Sequence, residues 1–202
     1  MFKYRLGHDH QVFLDRYKGS TATIVGSGPT TFNYEDLALL EPPIIFVNDS
    51  VVMEKYVTQE SHFVSWHTEM FKKKAENCKS YFWGRDCPHG TNYVLITTES
   101  LDAMKLLDVA DKLLDREHAV KNKFLYMHCL SPSIGVHLAH LFGCKAVQFV
   151  GCHPSDRPFH DPRINGKPFT GTQFVHRLKK WTELFGFDFN EARTSCNTTQ
   201  PA

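Results

Sequence analysis

The chain has 202 residues, 42% of them hydrophobic, long enough to bury one core and too short for two full domains. Twenty-three basic residues against 22 acidic ones leave a formal charge of +1, which excludes a global field that would gather nucleic acid or an anionic membrane. Residues 1–20 lack the unbroken apolar segment of a signal peptide, no later run reaches bilayer length, and six cysteines without a CxxC pair fit reduced thiols. The expectation is therefore a cytoplasmic protein with no membrane span.

The first element in chain order is the most informative. Ala22-Thr23-Ile24-Val25 is a short apolar strand that runs into Gly26-Ser27-Gly28-Pro29-Thr30. Glycines at a strand end turn the chain tightly and bring backbone N–H groups close to an anion. The dinucleotide fingerprint needs a third glycine where Thr31 stands, so ordinary NAD binding is disfavoured. Ile44 to Val47 and His62 to Trp66 follow as strands, leading into helical stretches at Val51 to Val57 and Thr68 to Ala75. Further strands are predicted at Ser80 to Trp83, Tyr93 to Thr97, Lys123 to His128 and Ala146 to Val150. Helices fit Ser100 to Glu117, Ile134 to Phe142 with Gly143 as its stop, and Gln173 to Phe185. Apolar strands alternating with helices predict a Rossmann-like α/β fold, a doubly wound, mostly parallel sheet with helices on both faces. Residues 1–202 then form a single nucleotide-binding domain, with 1–20 as an N-terminal extension, 152–172 as a loop or lid, and 191–202 as a frayed tail.

In such a fold, ligands lie at the carboxyl ends of the strands. The residues expected there are Gly26 to Thr30, Asn48-Asp49-Ser50, Trp66-His67-Thr68, Ser131-Pro132-Ser133 and Gly151-Cys152-His153. Small and hydrogen-bonding residues admit close backbone approach and read ribose or phosphate oxygens. Asn48 and Asp49 stand about 20 residues past the glycine turn, where a ribose-binding side chain falls. Both also suit the cap of a helix beginning near Ser50. His137 and His140, three apart, fit either helix packing or two ligands of a metal whose third is not visible. Cys78, Cys87 and His89 make a loosely spaced zinc set, and no metal site is assigned.

Gly26-Ser27-Gly28-Pro29-Thr30, the Phe46-Val47-Asn48-Asp49 strand end, Leu130-Ser131-Pro132-Ser133 and the stretch from Leu141 to Gly151 resemble bacterial family 42 sialyltransferases in order and spacing. The resemblance implies metal-free, inverting transfer of sialic acid from a CMP-sugar donor to a glycan or small-molecule acceptor. It also implies nucleotide contacts from the Ser27 region, Asn48, Ser131, Pro132 and Gly151, with His67 where the family has a second Asn. The family's Ser-Gly reads Ser131-Pro132 here, its Ile-Asp reads Cys152-His153, and its catalytic histidine falls at Phe169. The general base must then be another group. An imidazole, with an ordinary pKa of about 6.5, suits removal of the acceptor hydroxyl proton. His160 and His153 are the candidates, with Arg157 or Arg163 to neutralise the departing phosphate.

The 6-hydroxymethylpterin pyrophosphokinases are similar at the glycine turn, and that similarity implies Mg²⁺-dependent diphosphate transfer with Asp49 and Asp156 as metal ligands. The sialyltransferase reading needs no cofactor beyond its nucleotide-sugar substrate. A nucleotide-binding protein without catalysis is a third reading, kept open by Phe169. The donor sugar, the acceptor and whether the chain forms a homo-oligomer are not legible in these residues.

Overall fold

The computed structural model describes residues 10–28, 30, 32–65, 79–84, 94–97, 111, 114–121, 124–127, 131–152 and 172–191. Strands β1 (Thr21–Val25), β2 (Ile44–Val47), β3 (Ser61–Ser65) and β4 (Tyr81–Gly84) lie side by side and parallel. β5 (Val94–Thr97) and β6 (Phe124–Met127) pair with each other, and β7 (Ala146–Val150) and β8 (Phe189–Glu191) return to the first sheet. The result is an open, six-stranded, parallel sheet of order β4-β3-β2-β1-β7-β8 with an α/β architecture. The chain steps outward from β1 to β4 and later lays β7 on the other flank of β1. That reversal places a topological switch point between β1 and β7, where ligands of such sheets collect.

Alternation along each strand divides the core between two faces. Ala22, Ile24, Ile45, Val64, Trp83 and Phe149 share one core cluster with Ile134, Leu138, Leu178 and Trp181. Those last four belong to helices that follow α1 (Arg116–Lys121), namely α2 (Ser131–Leu141) and α3 (Thr172–Leu184). Val25, Ile44, Phe46, Phe63 and Val150 pack on the opposite face with Tyr34, Leu37, Val51 and Met53. That face is covered by 3-10 segments at Tyr34–Leu39 and Asn48–Tyr56. Helical segments thus cover both faces, the α-helices with the 3-10 turn His10–Phe13 on one and two 3-10 segments on the other. α2 sits close to the sheet because Gly135 has no side chain: a Cβ there would stand 3.1 Å from Ile24 Cγ2. The helix stops at Gly143, whose φ of +75° suits glycine and whose N–H donates to His140 O at 3.0 Å.

Three expectations are corrected. Among the described residues, the strands at 94–97 and 124–127 form their own parallel pair and are not part of the six-stranded sheet. A last strand, β8, follows α3 where no element was expected, and Phe189 stacks on Phe149 with ring centroids 4.7 Å apart. Residues 10–20 are not an appended extension: Phe13 and Tyr17 are 2% and 8% exposed within the main core. The N–H groups of Asp15, Tyr17 and Gly19 donate to the carbonyls of Leu141, Phe142 and Gly143. The expected helix at 68–75, most of the helix at 100–117, most of the 152–172 loop and all of the 191–202 tail but Glu191, which ends β8, lie outside the described residues. Among the described residues, no helix is long and apolar enough to cross a membrane.

Candidate functional site

The carboxyl ends of β3, β2, β1 and β7 lie in register along one edge of the sheet. The first group of residues there is the β1 bend. Gly26 N–H donates to Val150 O at 2.7 Å and Gly28 N–H to Gly151 O at 2.8 Å. Gly151 has a φ of +61°, and a Cβ on it would stand 2.7 Å from Gly28 O, 2.9 Å from Gly26 O and 2.9 Å from Tyr34 Oη. A Cβ on Gly26 would meet Gly151 O at 2.4 Å. Glycine is needed here because one backbone lies directly against another. The expectation that the Gly26 and Gly28 amides grip an anion is corrected accordingly, since the end of β7 accepts both. Around the bend, Thr30 Oγ1 accepts from Phe32 N–H at 3.1 Å, a local turn bond, and Ser27 is half-buried. The buried Tyr34 phenol is held neutral well above the ordinary phenol range, chiefly by loss of hydration. Cys152, also buried, lies with its Sγ 3.6 Å from the carbonyl oxygens of both Ile24 and Val150.

The second group is a junction of side chains. Asn48, the first residue after β2, has a φ of +54°, a left-handed conformation that Asn tolerates better than most residues. Its Oδ1 accepts from Ser65 Oγ at 2.9 Å, and its Nδ2 donates to Ser131 Oγ at 3.0 Å across 83 positions of sequence. One carboxamide thereby ties the ends of β2 and β3 to the first residue of α2. First-turn N–H groups of a helix have no partner within it, and Pro132 in that turn removes a donor that the helix does not use. Ser50 links junction and bend. Its hydroxyl accepts from Val47 N–H at 2.7 Å and donates to Val25 O at 2.5 Å, with no exposed surface.

The structure therefore unites Asn48 with Ser131, and Gly26 and Gly28 with Gly151. The cap expected of Asn48 or Asp49 is supplied by Ser50, and Asp49 is half-buried in the first 3-10 turn. Ser133 has no exposed surface, and its carbonyl accepts from Trp181 Nε1–H at 2.8 Å, so it joins α2 to α3 and does not line the edge. Pro29, His67, His153, Arg157 and His160 lie outside the described residues, as do Asp156, Arg163, Phe169, Cys78, Cys87 and His89. His137 is buried with Nδ1 accepting from Tyr126 N–H at 3.2 Å. His140 Nε2–H donates to Leu114 O at 3.0 Å, and burial lowers its pKa. Packing is what the structure shows for both. Among the described residues, no three His, Cys, Asp or Glu side chains gather as metal ligands.

Ser65 was missed because a single hydroxyl inside an apolar run does not stand out from the strand pattern; the described part of β3 is Ser61–Ser65. A hydroxyl at the last strand position facing an Asn at the next strand end was the available signal. Cys144 is likewise buried, and loss of hydration pushes its thiol up to about 12, which fits a packing role. Comparison with family models, with curated proteins and with solved structures found no match to the chain.

Proposed function

We propose that the protein is a cytoplasmic, nucleotide-sugar-dependent glycosyltransferase of sialyltransferase type, taking a CMP-sugar over the carboxyl edge of the sheet at the Asn48–Ser131 junction, next to the β1/β7 switch point. The observation that carries this reading is the Asn48–Ser131 bond of 3.0 Å, with Ser65 behind it. Two residues expected from sequence to contact the nucleotide, 83 positions apart, meet where an open parallel sheet places its ligands. The half-buried Asn48 carboxamide offers a donor and an acceptor to ribose and phosphate oxygens, while the buried Ser65 and Ser131 hydroxyls hold it in place. The choice of cytidine and of sialic acid rests on the resemblance described above.

In the reaction, the acceptor hydroxyl oxygen attacks the anomeric carbon while the bond from that carbon to the phosphate oxygen breaks. CMP leaves with the bonding electrons. His160 or His153 takes the acceptor proton, and Arg157 balances the phosphate charge. Glycosyl transfer of this kind needs no metal, whereas diphosphate transfer to a pterin-like alcohol requires Mg²⁺.

The test is a thermal-shift screen of CMP, UMP, AMP, GMP and ATP, with and without Mg²⁺, followed by CMP release from CMP-sialic acid. A ligand that binds only the native state raises the unfolding midpoint. CMP is expected to give the largest shift, and chelator is expected to leave CMP release unchanged. Selective ATP binding with Mg²⁺-dependent turnover would replace the reading with diphosphate transfer. Binding without turnover across donors would leave a nucleotide-binding protein.

A further inference from the structure

A buried histidine that the proposed reaction does not use lies at the amino end of β3. His62 has no exposed surface and alternates with Phe63, so it faces the α2 side of the sheet. Trp83 Nε1–H points at His62 Nδ1 at 3.1 Å. An indole nitrogen only donates, so Nδ1 must be the unprotonated acceptor and the imidazole must be neutral with its proton on Nε2. Nε2 lies 3.0 Å from Tyr17 Oη and donates to it. Tyr17 in turn donates to a Glu60 carboxylate oxygen, and the other oxygen of Glu60 pairs with Arg16 at 2.9 Å. The ring is enclosed by Phe142 at 4.6 Å, Phe13 at 5.4 Å and Tyr81, stacked at 5.4 Å.

We propose that His62 is an acid-sensitive latch holding residues 10–20 on the sheet, and that its protonation releases this segment. A second ring proton would set the Nδ1–H of His62 against the N–H of Trp83, two donors with no acceptor between them. The resulting cation would sit inside an aromatic cage that cannot hydrate it. Among the described residues, the surrounding charges do not reverse this. Glu60 is separated from the imidazole by the Tyr17 hydroxyl and is already paired with Arg16, whose own charge opposes a second cation. Tyr17 stays neutral, its pKa raised by burial and by Glu60, while β4 presents Tyr81 and Trp83 and the end of α2 presents Phe142. On α1, Arg116 is paired with Asp15 of the segment itself. Tyr17 carries the segment end of the latch, because its hydroxyl accepts from His62 and its backbone N–H donates to Phe142 O at 3.0 Å. The proposal is independent of the catalytic reading.

The experiment is hydrogen-exchange protection of the Asp15, Tyr17 and Gly19 amides between pH 7.5 and 5, read alongside the imidazole ¹⁵N shifts of His62. At pH 7.5 the shifts are expected to report the Nε2–H tautomer. As His62 takes up its proton, protection of the three amides is expected to drop about ten-fold or more while β1 and β7 keep theirs, the mark of a local opening. Trp83→Phe keeps a ring but removes the opposing donor, so protection in that variant is expected to persist to lower pH. Protection that does not change with pH, that falls equally in β1 and β7, or that falls at the same pH in Trp83→Phe would overturn the proposal. Should that variant fail to fold, the wild type decides, since the His62 titration midpoint must coincide with the loss of protection.

Discussion

The β1 bend and the Asn48 junction share one edge of the sheet, but the bend is backbone against backbone, with Gly26 and Gly28 donating into the end of β7. The junction is side chain to side chain, with a carboxamide and two hydroxyls from β2, β3 and α2. Both arise from residues that a nucleotide site would use. At the junction the half-buried Asn48 carboxamide keeps further capacity, because an amide group makes more than two hydrogen bonds, whereas the Gly26 and Gly28 N–H groups each carry a single proton that β7 already takes. A Gly-x-Gly at a parallel strand end is therefore compatible with two physical roles, close packing or ligand approach. Here the geometry assigns the first.

The largest expected effect tests that assignment. Gly151→Ala places a Cβ at positive φ within 2.7–2.9 Å of two carbonyl oxygens and the Tyr34 hydroxyl, and should lower unfolding free energy by about 2–5 kcal/mol in a denaturant titration. Native stability with lost nucleotide binding would instead make the bend a cradle. Ser50→Ala should follow at about 1–3 kcal/mol, since it strips a fully buried hydroxyl from the link between bend and junction; a neutral outcome would separate the two groups. Ser65→Ala should alter stability less than that. Its signature is a roughly three- to ten-fold loss of CMP affinity through a loosened Asn48, measured by calorimetric titration. The smallest effect lies away from the edge. Burial lowers the pKa of His140 below its ordinary value, so the unfolded chain binds that proton first and stability is lost as pH falls below about 6.5. His140→Gln should flatten that part of the pH profile, and an unaltered slope would show that His140 does not contribute to it.

Legibility followed the range of the interactions. β2 is a run of apolar residues buried on both faces, β7 is apolar but for the half-buried Gln148, and the limits of both match the sequence pattern. β3 begins one residue before its apolar pattern, at the polar Ser61, which pairs with Ile44. β8 reads Phe-Asn-Glu, too short and polar for periodicity to mark, and it exists through pairing with β7 and the Phe189–Phe149 stack. Phe13 and Tyr17 stand in a segment too short and too mixed with charges to show a period, and ring contacts with His62, Tyr81, Trp83 and Phe142, all distant in sequence, make them core. Asn48 and Ser131 were legible as residue types at element ends. That they touch was not, because nothing local encodes a bond across 83 positions. The same limit applies to the bend, where spacing does not say whether a phosphate or a carbonyl meets the glycine amides.

The most direct measurement is CMP affinity in the wild type and in Asn48→Gly, a variant that keeps the left-handed backbone and deletes only the carboxamide. With two side-chain hydrogen bonds removed, binding should weaken about ten-fold or more while the fold stays intact. Equal affinity in the two proteins, or a wild type that binds no nucleotide, would contradict a ligand site at the Asn48–Ser131 junction.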